Sequence, residues 1–159
     1  YTSGCGKGTL FYNALDFSGR QKIKSKKRLA AKKIIDLMHN FQKISQGFRK
    51  TGGVHIAALS DGEGILIFKE YIGRHNAIDK IIGEALIKGI KTEGLTILSS
   101  GRISSEVIFK VRRLNIPIIA SRTAPTDQAI KLARYFGLTL IGFVRLGRMN
   151  LYSHPERIA

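Results

Sequence analysis

The sequence predicts an α/β fold with three layers (α/β/α), in which a mixed sheet lies between helices. Two apolar runs at 54–60 and 65–70 flank the turn-forming residues Asp61–Gly64, and this arrangement predicts an antiparallel hairpin. From the second run onward, a strand, a loop and a helix pattern follow one another three times. Right-handed crossovers would make the strands of these units parallel and pack their helices on the faces of the sheet.

One domain is expected for the 159 residues, and it begins with a predicted cysteine loop at 1–19. Glycines on both sides leave the backbone free to present Cys5, the only cysteine of the chain. Lys7 favours the thiolate, which is the nucleophilic form of this side chain. The loop is therefore a candidate site for thiol chemistry.

A basic amphipathic helix is predicted over residues 20–50, because apolar side chains recur at helical spacing in its second half. The basic run Arg20–Lys33 is then the solvated part of that helix. Taken alone, the same run could contact nucleic-acid phosphates, although no aromatic residues interleave with it.

Residues 51–159 hold the hairpin, the three strand–loop–helix units and a C-terminal strand. Ile65–Phe68 is a predicted buried strand, and the helix after it runs from Asn76, which can cap it, to near Gly89. The later strands are predicted at 95–99, 116–120 and 138–144.

Each of the three loops carries an arginine beside small or hydroxyl residues, and the last strand leads into two more. These residues are Arg74, Arg102, Arg122, Arg145 and Arg148. Ligands of parallel sheets bind beyond the carboxyl ends of the strands, where helix N-termini also point. The pattern predicts a site for a phosphate-bearing ligand at one sheet edge, and His75 adds a group that titrates near neutral pH.

Composition limits the classes of partner and compartment. The formal net charge of +16 favours polyanionic partners: nucleic acid, an anionic membrane or a phosphate-rich ligand. No apolar run is long enough to span a bilayer, so no membrane span is expected. A single cysteine excludes an internal disulfide and a multi-cysteine zinc site, and it predicts a reducing, cytoplasmic location.

Six ordered motifs resemble those of the FdhD family and together cover essentially the whole chain. They are Ser3–Gly6, Thr51–His55, Gly73–Lys80, Ser100–Ser104, Ser121–Thr126, and Phe143–Arg148 with Tyr152–Pro155. The family usually has a further N-terminal region before the cysteine loop, so the resemblance implies the carboxy-terminal domain alone. The family's core resembles the cytidine deaminase fold, which agrees with the predicted order of elements.

Sulfur transfer is the function that the resemblance implies. Such a protein takes persulfide sulfur from a cysteine desulfurase and transfers it to the molybdenum or tungsten bis-molybdopterin guanine dinucleotide cofactor of formate dehydrogenase. The carrier cysteine falls on Cys5. The family's cofactor-binding segment falls on Phe143, Val144, Arg145, Leu146, Gly147 and Arg148. Arg74, His75, Arg102 and Arg122 are further predicted cofactor-binding residues, guanine nucleotide is expected to mimic the cofactor, and a homodimer is implied.

Two positions depart from the family's pattern. Gly8 stands where many members carry a second cysteine, which leaves Cys5 to act as a one-cysteine carrier. Tyr71 stands where the family's turn before Gly-Arg-His usually has an acidic residue. Deaminase activity is not expected, because zinc deaminases need two cysteines and a glutamate near the metal-binding histidine or cysteine, whereas Asn76 and Ala77 follow His75.

Two alternatives stay open at this point. A nucleic-acid-binding module would use the basic run and would not depend on Cys5. A cofactor-binding chaperone would hold the guanine dinucleotide without ever loading sulfur.

Overall fold

The computed structural model describes residues 22–159, except for the side chain of Arg49. The predicted cysteine loop, with Cys5, lies outside the described residues. The helices are α1 (Ala31–Ile44), α2 (Gln46–Thr51), α3 (Arg74–Ile87), α4 (Ser105–Arg113) and α5 (Asp127–Phe136). The strands are β1 (His55–Ser60), β2 (Ile65–Tyr71), β3 (Thr96–Ser99), β4 (Ile118–Ser121), β5 (Thr139–Arg145) and β6 (Arg148–Ser153), and a 3₁₀ helix spans Pro155–Arg157. No helix in this described part is long and apolar enough to cross a membrane.

The six strands form one mixed sheet in the order β2-β1-β3-β4-β5-β6. β1 pairs antiparallel with both β2 and β3, whereas β3, β4 and β5 are parallel and β6 returns antiparallel to β5. Because β2 and β3 both oppose β1, the strands β2, β3, β4 and β5 all point the same way. The predicted hairpin and parallel units are confirmed, and their carboxyl ends meet at one edge of the sheet.

Alternate strand residues enter two apolar cores, one on each face of the sheet. On β1, Ile56 and Ala58 pack into the core under α1. Ala57 and Leu59 pack into the opposite core, under α3, α4 and α5. The buried residues of α1 are Ile34, Leu37, Met38 and Phe41. The α/β fold with three layers is therefore confirmed, while the likeness to the cytidine deaminase fold stays a prediction.

The helix expected over 20–50 is shorter than predicted and is interrupted. α1 begins at Ala31, and Ser45 separates it from α2, whose cap forms when Ser45 Oγ accepts a hydrogen bond from Phe48 N at 2.9 Å. The backbone before α1 pairs with the C-terminal tail instead. Leu29 N donates to Arg157 O at 2.9 Å, so this segment cannot use the same amide for a helix.

Two local predictions around β2 and α3 are wrong. β2 lies at the edge of the sheet, so it is not a buried strand, and only Ile67 of its residues is buried. Asn76 does not cap α3, because the helix already begins at Arg74 with Gly73 at the cap position and no capping side chain. Among the described residues, the N-terminus of α3 therefore keeps backbone N–H groups that no capping side chain accepts from.

Candidate functional site

Five arginines lie at the edge of the sheet where β2, β3, β4 and β5 end, and we call this the arginine edge. They are Arg74 at the start of α3, Arg102 after β3, Arg122 after β4, Arg145 at the end of β5, and Arg148 at the start of β6. The topology thus brings together the arginines that the loop pattern placed at one edge. Arg74 and Arg122 are half-buried, and the other three are exposed.

Arg74 packs tightly against the loop that follows β3. A β-carbon added at Gly101 would lie 2.7 Å from Cβ of Arg74 and 3.3 Å from Nδ1 of His55, so glycine is needed between them. Ser100 Oγ accepts a hydrogen bond from Ile56 N at 3.0 Å and lies 3.3 Å from His55 Nδ1. The His55 and Ser100 side chains thus share a hydrogen bond whose direction depends on the imidazole tautomer. His55 and Arg74 therefore lie on the same side of the loop that follows β3.

Both histidines of this edge are held neutral at pH 7. Burial lowers the pKa of His55, and the charge of Arg74 lowers it further. Burial is also the main cause that lowers the pKa of His75, and Arg74 adds to it. Glu106, whose Oε2 lies 3.4 Å from His75 Nδ1, raises that pKa but does not reverse the shift. At neutral pH each imidazole can thus donate one hydrogen bond to an anion.

Three buried polar atoms at this edge have no hydrogen-bond partner among residues 22–159. They are Arg74 Nε, Ser104 Oγ and His75 Nδ1, the last of which lies 3.4 Å from Glu106 Oε2 but forms no hydrogen bond with it. They belong to the first turn of α3 and the cap of α4, and neither helix N-terminus has a capping side chain. Buried polar groups without partners are unfavourable. The arrangement can therefore accept an anionic ligand that supplies the missing partners.

A groove of about 400 Å³ lies between α1 and the turn that joins β5 to β6. Its lining residues are Ile35, Met38, His39, Gln42, Arg122, Val144, Arg145, Leu146 and Gly147. Val144–Gly147, from the predicted cofactor segment Phe143–Arg148, form one wall. Phe143 and Leu146 each have φ of 53°, and the pairing of β5 with β6 shifts between Gly142 and Arg145. This left-handed backbone turns the segment out of the regular ladder and leaves Leu146 88% exposed.

Hydrogen bonds join the loop that follows β3 to the loop that follows β4. Ser121 Oγ, in the last residue of β4, donates to Gly101 O at 2.8 Å, and Arg122 N donates to Ser99 O at 3.1 Å. The Arg122 guanidinium lies over the ring of Phe48, 5.6 Å from its centre. The loops after β3 and β4 are therefore held as one surface. Arg102 is on that surface but forms no hydrogen bond or ion pair with the described residues.

Four residues of the site were not among the predicted site residues. His55 begins β1 and contacts Ser100, which follows β3, while His39 and Gln42 line the groove from α1. The hairpin itself could have indicated His55, because β1 must begin at the edge where β2 ends. The two α1 residues had no comparable signal, since a solvated helix face is polar in any case.

The predicted site residues have different outcomes. The structure brings Arg74 and His75 together, and it places Arg122, Arg145 and the 143–148 segment around one groove. Cys5 lies outside the described residues, and a cofactor-binding role for the others stays a prediction. Across the part of the chain that the structure describes, no three His, Cys, Asp or Glu residues form a group that could hold a metal ion.

Comparison with known proteins identifies a family and relatives that this chain resembles. The model of the FdhD/NarQ family matches residues 1–159. A sulfur carrier protein FdhD of Bacillus subtilis is 44% identical over 156 residues, which are 98% of this chain and 60% of that protein. The protein of the same name from Staphylococcus haemolyticus is 42% identical over 98% of this chain and 59% of its own length. The chain thus spans about three fifths of the length of these curated relatives.

A solved structure has the same fold. It is the crystal structure of a candidate formate dehydrogenase accessory protein from Desulfotalea psychrophila, with a TM-score of 0.79 and 31% sequence identity. The match covers 85% of this chain and 58% of that one.

Proposed function

The chain belongs to the FdhD/NarQ family, and on that premise we propose that it is a sulfur carrier for the maturation of formate dehydrogenase. Cys5 takes persulfide sulfur from a cysteine desulfurase. The sulfur is then delivered to the molybdenum or tungsten bis-molybdopterin guanine dinucleotide cofactor, which is the client. Relatives named sulfur carrier proteins support this proposal, as does the likeness to a candidate formate dehydrogenase accessory protein.

The arginine edge is the observation that carries the proposal. The client has two pyrophosphate groups, and guanidinium groups bind phosphate oxygens through two parallel hydrogen bonds. The uncapped N-termini of α3 and α4 add backbone N–H donors at the same edge. Neutral His55 and His75 add further donors beside Arg74. This edge therefore matches a ligand with several phosphates rather than a single carboxylate.

The groove beside α1 suits the guanine part of the client. Its volume of about 400 Å³ lies in the range of small-molecule sites. His39 and Gln42 place polar groups along one wall, and Met38 and Val144 give it apolar surface. We therefore assign the base to this groove and the pyrophosphate to the arginine edge.

The loading step needs no additional reactant. The Cys5 thiolate attacks the terminal sulfur of the donor persulfide, a new S–S bond forms on Cys5, and the donor's own S–S bond breaks. The donor cysteine leaves as a thiolate, so the number of electrons and protons on the pair is unchanged. Lys7 favours the attacking thiolate. This step rests on the sequence and the family, because Cys5 lies outside the described residues.

His75 is proposed to orient or protonate groups near the transfer site. Its imidazole is neutral at pH 7, is mostly buried, and lies beside Glu106. His75→Gln is expected to slow sulfur delivery while leaving guanine nucleotide binding intact, because glutamine keeps an N–H donor but cannot exchange a proton near neutral pH. Loss of both properties would assign a structural role to this residue.

Mass spectrometry of the intact protein tests the carrier role directly. The parent and a Cys5→Ala variant are incubated with a cysteine desulfurase and free cysteine, and GDP binding is measured in parallel. A gain of one sulfur on the parent alone, reversed by a thiol reductant, is the expected result. GDP binding without sulfur gain would instead favour a cofactor chaperone, and loss of both would favour a nucleic-acid-binding module on the basic segment.

The protein works together with two other proteins. Its partners are the cysteine desulfurase and formate dehydrogenase, and its location is the cytoplasm, where a single thiol stays reduced. A homodimer would supply two arginine edges for the two guanine nucleotides of one client. Sedimentation of the protein with and without GDP measures that state.

A further inference from the structure

A second cationic surface lies on residues 22–28, which we call the basic strap. Five of its seven residues are lysine or arginine. Ile23 is 4% exposed, whereas the basic side chains at alternate positions are exposed. These are Lys22, Lys24, Lys26 and Arg28. This alternation of buried and exposed side chains is typical of an extended chain. One face of the strap therefore packs against the protein through Ile23, and the other face presents a row of cations to solvent.

The strap is held in place by its backbone and by one buried arginine. Ile23 N donates to Phe136 O at 2.7 Å. Arg157 is 7% exposed and donates to Ser25 O and Ile23 O, each at 3.4 Å. Its third hydrogen bond, to Thr139 Oγ1 at 3.0 Å, ties the strap to the start of β5. Because the backbone of the strap is already held in place, little backbone entropy is lost when a partner binds.

The strap lies at the end of the sheet opposite to the arginine edge. Lys27 Nζ donates to Asp61 O at 2.6 Å, in the turn where β2 begins. β2 then runs from that turn to the arginine edge. Ile23 meets α5 at Phe136, the last residue of that helix, and α5 begins near the arginine edge. The cations of the strap therefore do not contact a ligand bound at the arginine edge, and they are available to a separate partner.

A groove of about 460 Å³ beside the strap is lined by Ser25, Lys26, Lys27, Arg28, Glu156 and Arg157. Among the described residues that line the groove, Glu156 is the one carboxylate, so the cations there outnumber it. None of the four exposed cations of the strap forms an ion pair within residues 22–159. Among the described residues no aromatic side chain lines this groove, so it lacks the stacking surface on which single-stranded nucleic acid depends. Its lysine and arginine side chains can pair with the carboxylates of another protein.

We propose that the basic strap docks an acidic segment of the protein that donates sulfur to Cys5. The identity of this partner rests on the proposed function, whereas its acidic chemistry rests on the strap. Sulfur transfer between two proteins needs a complex that forms quickly and dissociates again. Opposite charges on exposed surfaces favour such a complex. Cys5 stands 17 residues before Lys22. A chain of that length reaches at most about 60 Å when extended, so a donor docked at the strap stays within reach of the thiol.

Charge reversal on the strap tests this docking. The variant carries Lys22→Glu, Lys24→Glu and Lys26→Glu. A matched control carries Lys43→Glu, Lys50→Glu and Lys91→Glu, three exposed lysines outside the strap, and has the same net charge. Fluorescence anisotropy at low salt measures binding to a cysteine desulfurase, to a peptide of alternating glutamate and glycine, and to oligouridine RNA. We expect the strap variant to bind the desulfurase and the acidic peptide roughly tenfold more weakly than the parent, and the control within about twofold.

Sulfur loading separates docking from the carrier function. The strap variant should load slowly from the desulfurase, yet at the parent rate from glutathione persulfide, and it should bind GDP like the parent. Equal weakening in both triple variants would overturn the proposal, because net charge alone would then explain binding. Preferential binding of oligouridine through the strap would overturn it too. A parent that loads from neither donor, yet binds the desulfurase through the strap, would refute the carrier function and support the docking surface.

Discussion

Replacing Gly101 with alanine puts a methyl group where the site has no room for one. The added β-carbon would lie 2.7 Å from Cβ of Arg74, and 3.3 Å from both Cδ of Arg74 and Nδ1 of His55. Cβ of Arg74 cannot swing away like the end of a side chain, because it is attached to the backbone of α3. The loop after β3 or the start of α3 must therefore shift. Overpacking of this kind lowers the free energy of unfolding by about 1–3 kcal/mol.

The same shift would move the Arg74 guanidinium at the arginine edge. A lost hydrogen bond to a charged group costs about 1.5–3 kcal/mol, which is roughly a 10- to 150-fold loss of affinity. We expect GDP to bind Gly101→Ala more weakly by that factor in isothermal titration calorimetry. The urea midpoint of unfolding should fall in the same variant.

Gly83→Ala is the matched control, because it lies on α3 and its β-carbon would meet nothing within 4 Å. Alanine is about 1 kcal/mol more favourable than glycine inside a helix, so this variant should be more stable and bind GDP like the parent. If Gly101→Ala unfolded at the parent's urea midpoint and bound GDP equally well, the packing of Arg74 on this loop would be refuted. If it were destabilised but bound GDP normally, Arg74 would not be a phosphate ligand.

Acidification should destabilise the fold through His55 and His75. The pKa values of both histidines in the folded protein lie below the unfolded value of 6.5. Between the folded and unfolded pKa values the unfolded chain therefore binds more protons, and the free energy of unfolding rises with pH. Urea unfolding over a pH series should show this slope, and a His55→Gln, His75→Gln double variant should flatten it; an unchanged slope would assign it to other groups. Gly142→Ala should lower the free energy of unfolding by about 1–3 kcal/mol, because its β-carbon would lie within 3.1 Å of atoms in three other residues; a parent-like urea midpoint would contradict that packing. Arg157→Ala should cost about 1–3 kcal/mol and speed hydrogen exchange at the Ile23 amide, whereas continued protection of that amide would mean that other contacts hold the strap.

Local pattern in the sequence was sufficient for the order of elements and for the arginine edge. Turn residues at 61–64 between two apolar runs determine the hairpin, because the turn and the strands beside it are neighbours in the chain. Crossover handedness then makes the following units parallel. An arginine placed once in each loop must therefore reach the same edge, whatever the detailed packing, which is why the sequence alone could group Arg74, Arg102 and Arg122.

Only the tertiary structure decided what depends on segments far apart in the chain. β2 has the apolar pattern of a buried strand, but it is an edge strand because no further strand within residues 22–159 pairs with its outer side. α1 begins at Ala31 because the C-terminal tail takes the backbone hydrogen bonds of Leu29. His55 meets Ser100 across 45 positions of sequence, a contact set by the pairing of β1 with β3. Helical spacing and turn residues describe neighbours along the chain, whereas strand order, helix length and the shape of the site depend on the total packing of distant segments.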